Sequence, residues 1–451
     1  MSSSFGGRVS LYRHIYGEAQ KYEEGYSDVF VSTNQIDTNM LAVNSRYIAF
    51  PYDSRGGGSF GVLKVGGSGK IGTNCPLFSG HKSPVLDVAF SPFNEDIVAS
   101  ASEDATIRLW KITEENGNIK SNHNEQIATL SGHGRKVCRL AFNDLVNNCL
   151  ASFGFENTIK IWDISKGQCA STIKGTNQQF LDINWSQDGN RLVLPAKDKK
   201  LHVYDARAGT ETFAVPSHMN IKGSRAVFYD KLHYIFSTGF SQQAARQLML
   251  RDERNPEKPL QTEDVDYNAG MLIPFMAPDN GVVFLFGRGD TVTKCYELRE
   301  DEPPIMSCSS SPLPEPIRAV ACAPRTCCDT SICEIGCIYI VTNSKHLVHY
   351  PMIVPRRNAD TFQSDIYPET VAPEPSVEFD AWKEGQEFTP KLVNLENYER
   401  PTAASSGFHV EEQEDPAVLK QKLNEALKTI EDNKARIAEL EAEIATLKGS
   451  A

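Results

Sequence analysis

Gly80-His81-Lys82-Ser83-Pro84-Val85-Leu86-Asp87-Val88-Ala89-Phe90 and Gly132-His133-Gly134-Arg135-Lys136-Val137-Cys138-Arg139-Leu140-Ala141-Phe142 decide the fold of this chain. Each begins with a Gly-His pair and passes through a short polar turn into a run of strand-forming residues. A second pair of strings follows in step: Thr106-Ile107-Arg108-Leu109-Trp110 and Thr158-Ile159-Lys160-Ile161-Trp162. From His to Trp the separation is 29 residues in both copies, and the copies lie 52 residues apart, the period being lengthened by an insert at 114–125. A weaker third copy reads Leu181-Asp182-Ile183-Asn184-Trp185, then Lys200-Leu201-His202-Val203-Tyr204-Asp205, with Tyr204 at the Trp position. One supersecondary unit therefore recurs along the chain.

This is the Gly-His to Trp-Asp pattern of WD repeats, in which every unit is a four-stranded blade of a β-propeller. In such blades a loop His, a turn Asp, a strand Ser and the Trp form a hydrogen-bonded chain that satisfies polar groups inside an apolar sandwich. The first copy supplies His81, Ser102, Asp104 and Trp110. The second supplies His133, Glu156 and Trp162, with Glu in place of Asp. In the third, Asp198 and Tyr204 remain and the His is missing. At these spacings the histidines are structural rather than metal ligands or catalytic bases. Residues 29–355 span 327 positions, which at about 45 per blade predicts seven blades. Closure requires the two ends to meet, and the strand-like segment 8–16 is the candidate to complete the last blade.

Composition fits this all-β reading. The chain has 451 residues, 40% of them hydrophobic and 23% charged, as in folded proteins. No run of about 18 apolar residues exists, so no membrane insertion is expected. The start has no basic region followed by an apolar stretch, so no secretory signal is read there. Eleven scattered cysteines are an odd number, read as reduced thiols of a cytoplasmic protein. The net charge of −12 is concentrated: residues 364–415 hold 13 acidic and 3 basic side chains. The rest is close to neutral and leaves room for local basic patches.

Four regions follow: a propeller over 1–355, an acidic strap with spaced aromatics docked on it over 356–400, an acidic linker over 401–416, and a coiled coil over 417–448. The strap's Phe379, Trp382 and Phe388 are expected to be buried, because aromatics exposed in an acidic tail would lack a stabilising partner.

Motifs for catalysis are missing. Gly66-Gly67-Ser68-Gly69-Lys70 resembles a phosphate loop, but Ile71 follows where Ser or Thr should meet Mg²⁺, so it reads as a strand connection. Cys322, Cys327, Cys328, Cys333 and Cys337 crowd one stretch, without the paired gaps of structural zinc, and read as buried blade cysteines. Arg288-Gly289-Asp290 reads as a turn. No cofactor, no metal and no enzymatic site are expected. Binding has better candidates. The Gly-His loops and the turns carrying the Asp share one face of a propeller, which would present Lys82, Arg135, Lys136, Lys197, Lys199, Lys200 and Arg288. Such a cluster suits an acidic filament. Arg8, Arg13 and Lys21 form a second, weaker group. Aromatics are not interleaved as in nucleic-acid grooves, so no nucleic acid is expected.

Several strings together resemble the coronins, actin-binding WD-repeat proteins. They are Tyr12-Arg13-His14-Ile15-Tyr16-Gly17, Gly56-Gly57-Gly58-Ser59-Phe60, Gly80-His81-Lys82 with Val85-Leu86-Asp87, Ser237-Thr238-Gly239-Phe240-Ser241 and Gly287-Arg288-Gly289-Asp290. The most specific is Val354-Pro355-Arg356-Arg357 with Phe362-Gln363-Ser364-Asp365-Ile366-Tyr367-Pro368. The resemblance implies a non-enzymatic, seven-bladed organiser of filamentous actin. It further implies dealings with the complex that nucleates branched filaments, work with cofilin in filament turnover, and a place at the leading edge or phagocytic cup. The alternative is a WD-repeat adaptor for another assembly, such as a ubiquitin ligase or membrane-traffic coat. Two departures stand out: Arg251 replaces the usual Trp of the fifth blade, and Phe30 stands where the family often carries a basic residue linked to filament binding.

The tail is the most periodic part. Leu423, Ile430, Ile437 and Ile444 recur every seven residues, as do Leu419, Ala426, Asn433, Leu440 and Leu447. These are the a and d positions of a left-handed coiled coil roughly 48 Å long. Ile at a with Leu at d favours parallel dimers. Arg436-Ile437-Ala438-Glu439-Leu440-Glu441 instead resembles the trimer-specifying pattern, in which Arg436 and Glu441 bridge neighbouring helices. The seam is read as a parallel trimer, with the dimer as alternative.

Overall fold

Apolar runs between turn residues form antiparallel fours. In this computed structural model the described residues are 10–33, 38–54, 56–123, 126–359 and 361–398, together with Lys428. The linker 401–416 and the heptad positions from Leu419 to Leu447 lie outside them, as does Arg8. The chain divides into two units, 1–408 and 409–451; the propeller belongs to the first.

Among the described residues, seven sheets of four or more strands follow one another along the chain, beside two small two-stranded ones. Blade 1 is built on Tyr47–Pro51 and Ser59–Lys64, flanked by Ala42–Val43 and Leu77–Ser79. Blade 2 pairs Val85–Phe90, Ile97–Ser102, Thr106–Lys111 and Ala128–Ser131 in that order. Blade 3 pairs Val137–Phe142, Cys149–Gly154, Thr158–Asp163 and Gln168–Lys174. Blades 4, 5 and 6 repeat the meander from Asn184–Trp185 to Ile305–Pro312. Ile97–Ser102 and Cys149–Gly154 are buried at every position. Neighbouring blades cover both of their faces, which is why they read as unbroken apolar and small residues rather than as an alternation.

Salt links stitch the blades. Arg139 of blade 3 lies 3.5 Å from Asp87 of blade 2 and 3.0 Å from Asp182 ahead of blade 4, and Asp182 also receives Arg225 of blade 5. Arg246 of blade 5 reaches Asp290 beyond blade 6's second strand at 2.7 Å. Truncating one partner of such a pair would leave a buried charge uncompensated.

Closure is made by the N-terminal segment. Blade 7 takes Ile317–Cys322, Glu334–Thr342 and Leu347–Ile353 from the end of the propeller. Its outer edge comes from Tyr16–Gly17, which pair with Ile353 and Met352, and from Tyr26, which pairs with Leu347. The closing residues are thus 16–27 rather than 8–16. Residues 11–14 form a turn, and the buried Tyr12 and Ile15 are three apart, a turn's spacing rather than the alternation of a strand. Gly17 is required here: a Cβ on it would stand 2.1 Å from the Tyr350 ring.

The strap is anchored at two places. Tyr367 Oη donates to Glu334 O of blade 7 (2.8 Å). Further on, Ser376 N donates to Leu145 O, Val377 bridges Val146, and the one-turn helix Phe379–Lys383 puts Phe379 and Trp382 into the core shared by blades 3 and 4. Phe388 packs at the margin of that core, partly buried. Lys166 clasps Asp380 at 2.6 Å, and Trp382 Nε1 donates to Asn190 Oδ1 at 3.0 Å.

Candidate partner-binding face

The loops that enter each blade and the turns between its middle strands meet at one rim. Glu103 N donates to Pro84 O, Phe155 N to Lys136 O and Lys197 N to Gln179 O. Gly175 N to Asn157 O and Ser217 N to Lys199 O carry the ladder of the outermost strands of blades 3 and 4 on to the same rim. The turns share one conformation: Ala105, Asn157, Lys199 and Lys345 hold the left-handed position in blades 2, 3, 4 and 7, at φ of 66°, 60°, 66° and 67°.

Hydrogen-bonded chains hold this rim. In blade 2, Trp110 Nε1 donates to Ser100 Oγ at 2.8 Å, Ser100 Oγ meets His81 Nε2 at 2.8 Å, and His81 Nδ1 meets Asp104 Oδ2 at 2.9 Å. With Nδ1–H donating to the carboxylate, Nε2 accepts the serine proton, and every polar group of the chain has a partner. Burial alone would raise the Asp104 carboxyl, but hydrogen bonds from His81, Thr106 and the Lys82 amide hold it well below the usual carboxylate range. The hydroxyl is therefore Ser100's and not Ser102's. Ser102 lies two residues nearer the turn, where its Oγ donates to Ser83 O and accepts from Asp104 N. In blade 3 the same role falls to Ser152, 2.7 Å from His133 Nε2 and 2.8 Å from Trp162 Nε1, with Glu156 on Nδ1. Burial, the largest influence, pushes the His133 pKa down.

Ser100→Ala should cost about 2 kcal/mol, since it orphans two buried groups at once, whereas Ser102→Ala should cost about 1 kcal/mol. Chemical denaturation of both variants checks this. A larger loss for Ser102→Ala would overturn the assignment.

Blades 4 and 5 carry variants of the chain. The third copy does have a histidine, on the strand instead of the loop: His202 Nε2 meets Asp198 Oδ2 at 3.0 Å and Nδ1 meets Glu211 Oε1 at 2.5 Å. In blade 5, His218 contacts Ser237 at 3.1 Å and Gln247 at 3.2 Å. Its separation from Ser237 is 19 residues, as for His81 to Ser100 and His133 to Ser152. That spacing was the available signal, and the absence of a Gly before His218 masks it. Arg251 pairs with Ile235 as Trp110 pairs with Val98. It occupies the Trp position and donates to Pro256 O at 2.6 Å and to Pro216 O.

Of the cations singled out, Lys82, Arg135, Lys199 and Lys200 are exposed, while Lys136 and Lys197 are half-buried. Lys136 bridges to Glu103 of the neighbouring blade at 3.4 Å and lies over the Phe155 ring. Arg288 donates to Thr38 O at 3.0 Å. Arg13 is not part of this face. It lies three residues before Tyr16, whose partner Ile353 ends its strand at the opposite rim from the 343–346 turn. Phe30 carries a cation over it after all: Lys345 Nζ, from that turn, stands 4.3 Å from its ring centroid.

Seven antiparallel blades, closed by the N-terminal segment and carrying His–Ser–Trp chains in blades 2 and 3, define a WD-repeat β-propeller. Family models described as "WD domain, G-beta repeat" match residues 72–111 and 124–163, a "Type of WD40 repeat" matches 351–390, and "Domain of unknown function (DUF1899)" matches 5–70. Coronin-A of Dictyostelium discoideum is 37% identical over 440 residues, covering 97% of this chain and 96% of the relative. Coronin-2A of Homo sapiens is 32% identical over 86% of this chain and 74% of its own length. The crystal structure of the WD40 domain from Toxoplasma gondii coronin superposes with a TM-score of 0.80 at 31% identity, over 86% of this chain and 98% of that one. The chain belongs to the coronin family.

Proposed function

We propose that this protein binds filamentous actin through the cationic rim of blades 2 to 4. On this reading it regulates branched nucleation, works with cofilin in filament turnover, and acts in the cytoplasm at cortical actin, at the leading edge or phagocytic cup. Membership of the coronin family carries the reading. The rim formed by the exposed Lys82, Arg135, Lys199 and Lys200 with the half-buried Lys136 and Lys197 supports it, since cations gathered on one face of a near-neutral domain draw in an acidic filament. His81, His133, His202 and His218 are engaged in blade hydrogen bonds, which favours binding over catalysis. Among the described residues no helix is long and apolar enough to cross a membrane.

Co-sedimentation with filaments at low and high salt tests this. Reversing Lys82, Arg135 and Lys136 to Glu together should weaken pelleting at least about 10-fold at low salt, with a smaller effect as salt screens the surface. Unchanged affinity would place the actin site elsewhere. No pelleting of the intact oligomer at low salt would favour an adaptor for another assembly.

A further inference from the structure

Unassigned chemistry gathers in the seventh blade. Glu334 and Cys337 lie on the strand Glu334–Thr342, and His349 lies on its neighbour Leu347–Ile353. Glu334 and Cys337 are buried, at 1% and 4% exposure. His349 Nε2 lies 2.8 Å from Glu334 Oε1 and 3.4 Å from Cys337 Sγ, and all three ligand atoms fall within 4.8 Å of one another. Carboxylate and thiol thus address the same ring nitrogen. A proton relay for a nucleophilic cysteine would need the thiol on one nitrogen and the carboxylate on the other, so this arrangement is unsuited to that chemistry. Three donors converging on one point suit a shared cation.

We propose that Glu334, Cys337 and His349 form a zinc-binding site that ties together the last two strands of the propeller. Around a tetrahedral Zn²⁺ with bonds of about 2.0–2.3 Å, neighbouring ligand atoms stand roughly 3.3–3.6 Å apart. The Cys–His separation already fits, and the His–Glu pair has to open by roughly half an ångström. One sulfur, one imidazole and one carboxylate select zinc over the oxygen-seeking Mg²⁺ and Ca²⁺. Outer contacts hold two of the ligands in place, as metal sites require. Glu334 Oε2 accepts the Asp329 amide at 2.7 Å, and the His349 ring stacks on Tyr339 with centroids 5.0 Å apart. With three protein ligands, a water would take the fourth position.

As the Cys337 S–Zn bond forms, the thiol proton leaves to solvent, and no atom changes oxidation state. His349 also lines a cavity of about 100 Å³ with Gln20, Tyr26 and Lys64, which brings solvent to the imidazole. The strand that carries His349 is the one on which the ring closes: Tyr16 pairs with Ile353, and Gln20 N donates to His349 O at 2.9 Å. Zinc bound here stabilises the closed ring by binding the folded state alone.

The test uses the full chain, reduced and stripped of metal by a chelator, and titrated with Co²⁺ and then Zn²⁺. One equivalent of Co²⁺ should produce thiolate-to-cobalt charge transfer and the intense visible bands of a four-coordinate ion, both erased by Zn²⁺. Cys337→Ser should abolish the charge transfer and weaken binding at least about 100-fold. His349→Gln should weaken binding similarly, and Cys169→Ser in blade 3 should change nothing. Zinc should raise the melting temperature of the parent and not of Cys337→Ser. Absence of the charge-transfer band, its survival in Cys337→Ser, or a melting temperature indifferent to zinc would overturn the site and leave Glu334–His349 as a hydrogen-bonded pair alone.

Discussion

Trp382→Ala is expected to release the strap from the propeller. Trp382 is fully buried, at 0% exposure, in the core of blades 3 and 4. Its ring meets Trp185 edge-on at 6.1 Å and Phe379 at 5.7 Å, and its indole N–H is satisfied by Asn190. Removing a buried Trp costs about 3–5 kcal/mol in transfer and cavity terms, and Asn190 Oδ1 loses the indole donor as well. The strap's polar side-chain ties at that end are modest. The Lys166–Asp380 pair is exposed and screened, and Asn147 to Glu378 is likewise at the surface. What remains at this end is Val377 and Phe379 in the same core and the backbone bonds to Leu145, without the largest buried side chain of the strap. Limited proteolysis should cut residues 376–395 rapidly in Trp382→Ala, while the parent resists there. The melting temperature should fall by several degrees, and Trp382→Phe, which keeps most of the packing, should lie between. A strap equally resistant in all three proteins would refute the anchoring role.

That anchor was legible in the sequence because aromatics in an acidic, Pro-dotted stretch have no reason to be there unless something covers them. The blades were legible for a related reason. Gly-His and Trp at a fixed 29-residue offset tie a loop to a strand, and only a repeated sheet satisfies that offset twice. What escaped the reading was choice among equivalents. Ser100 and Ser102 point to the same side of one strand, and no local pattern says which hydroxyl the indole reaches. Cross-strand register decides it, placing Trp110 opposite Val98 and so within reach of Ser100. His202 was missed for another reason: it approaches the turn Asp from the strand, at a position where the repeat pattern expects no histidine. Ring closure was misplaced by a few residues because two apolar side chains in a turn, Tyr12 and Ile15, resemble the end of a strand until their spacing is weighed. The convergence of Glu334, Cys337 and His349 could not be read from spacing at all. A β-bulge between Glu334 and Gly336 shifts the register, and His349 comes from the next strand.

Replacing Ile430, Ile437 and Ile444 together with polar residues should turn the protein into a monomer that holds filaments far more weakly. In the proposed coiled coil the three positions share one heptad seam, so each exchange would remove an apolar layer from every helix. On this reading Asn433 between them would already lower the stability of the seam in return for fixing its alignment, and the remaining Leu419, Leu423, Ala426, Leu440 and Leu447 layers would be too few to hold it. Light scattering reads the outcome directly. Three chains of 50.0 kDa give about 150 kDa and two give about 100 kDa, which separates the proposed trimer from the dimer through the count favoured by the 436–441 pattern. In an oligomer the second propeller binds at an effective concentration set by its tether. Overall affinity can then exceed that of one propeller by about 10²–10⁴, provided the tethers let two propellers engage one filament. The monomeric variant should lose that factor in co-sedimentation while its propeller melts at the same temperature as the parent's. If the monomer pellets as tightly as the oligomer, each propeller binds on its own strength, and avidity has no part in filament binding.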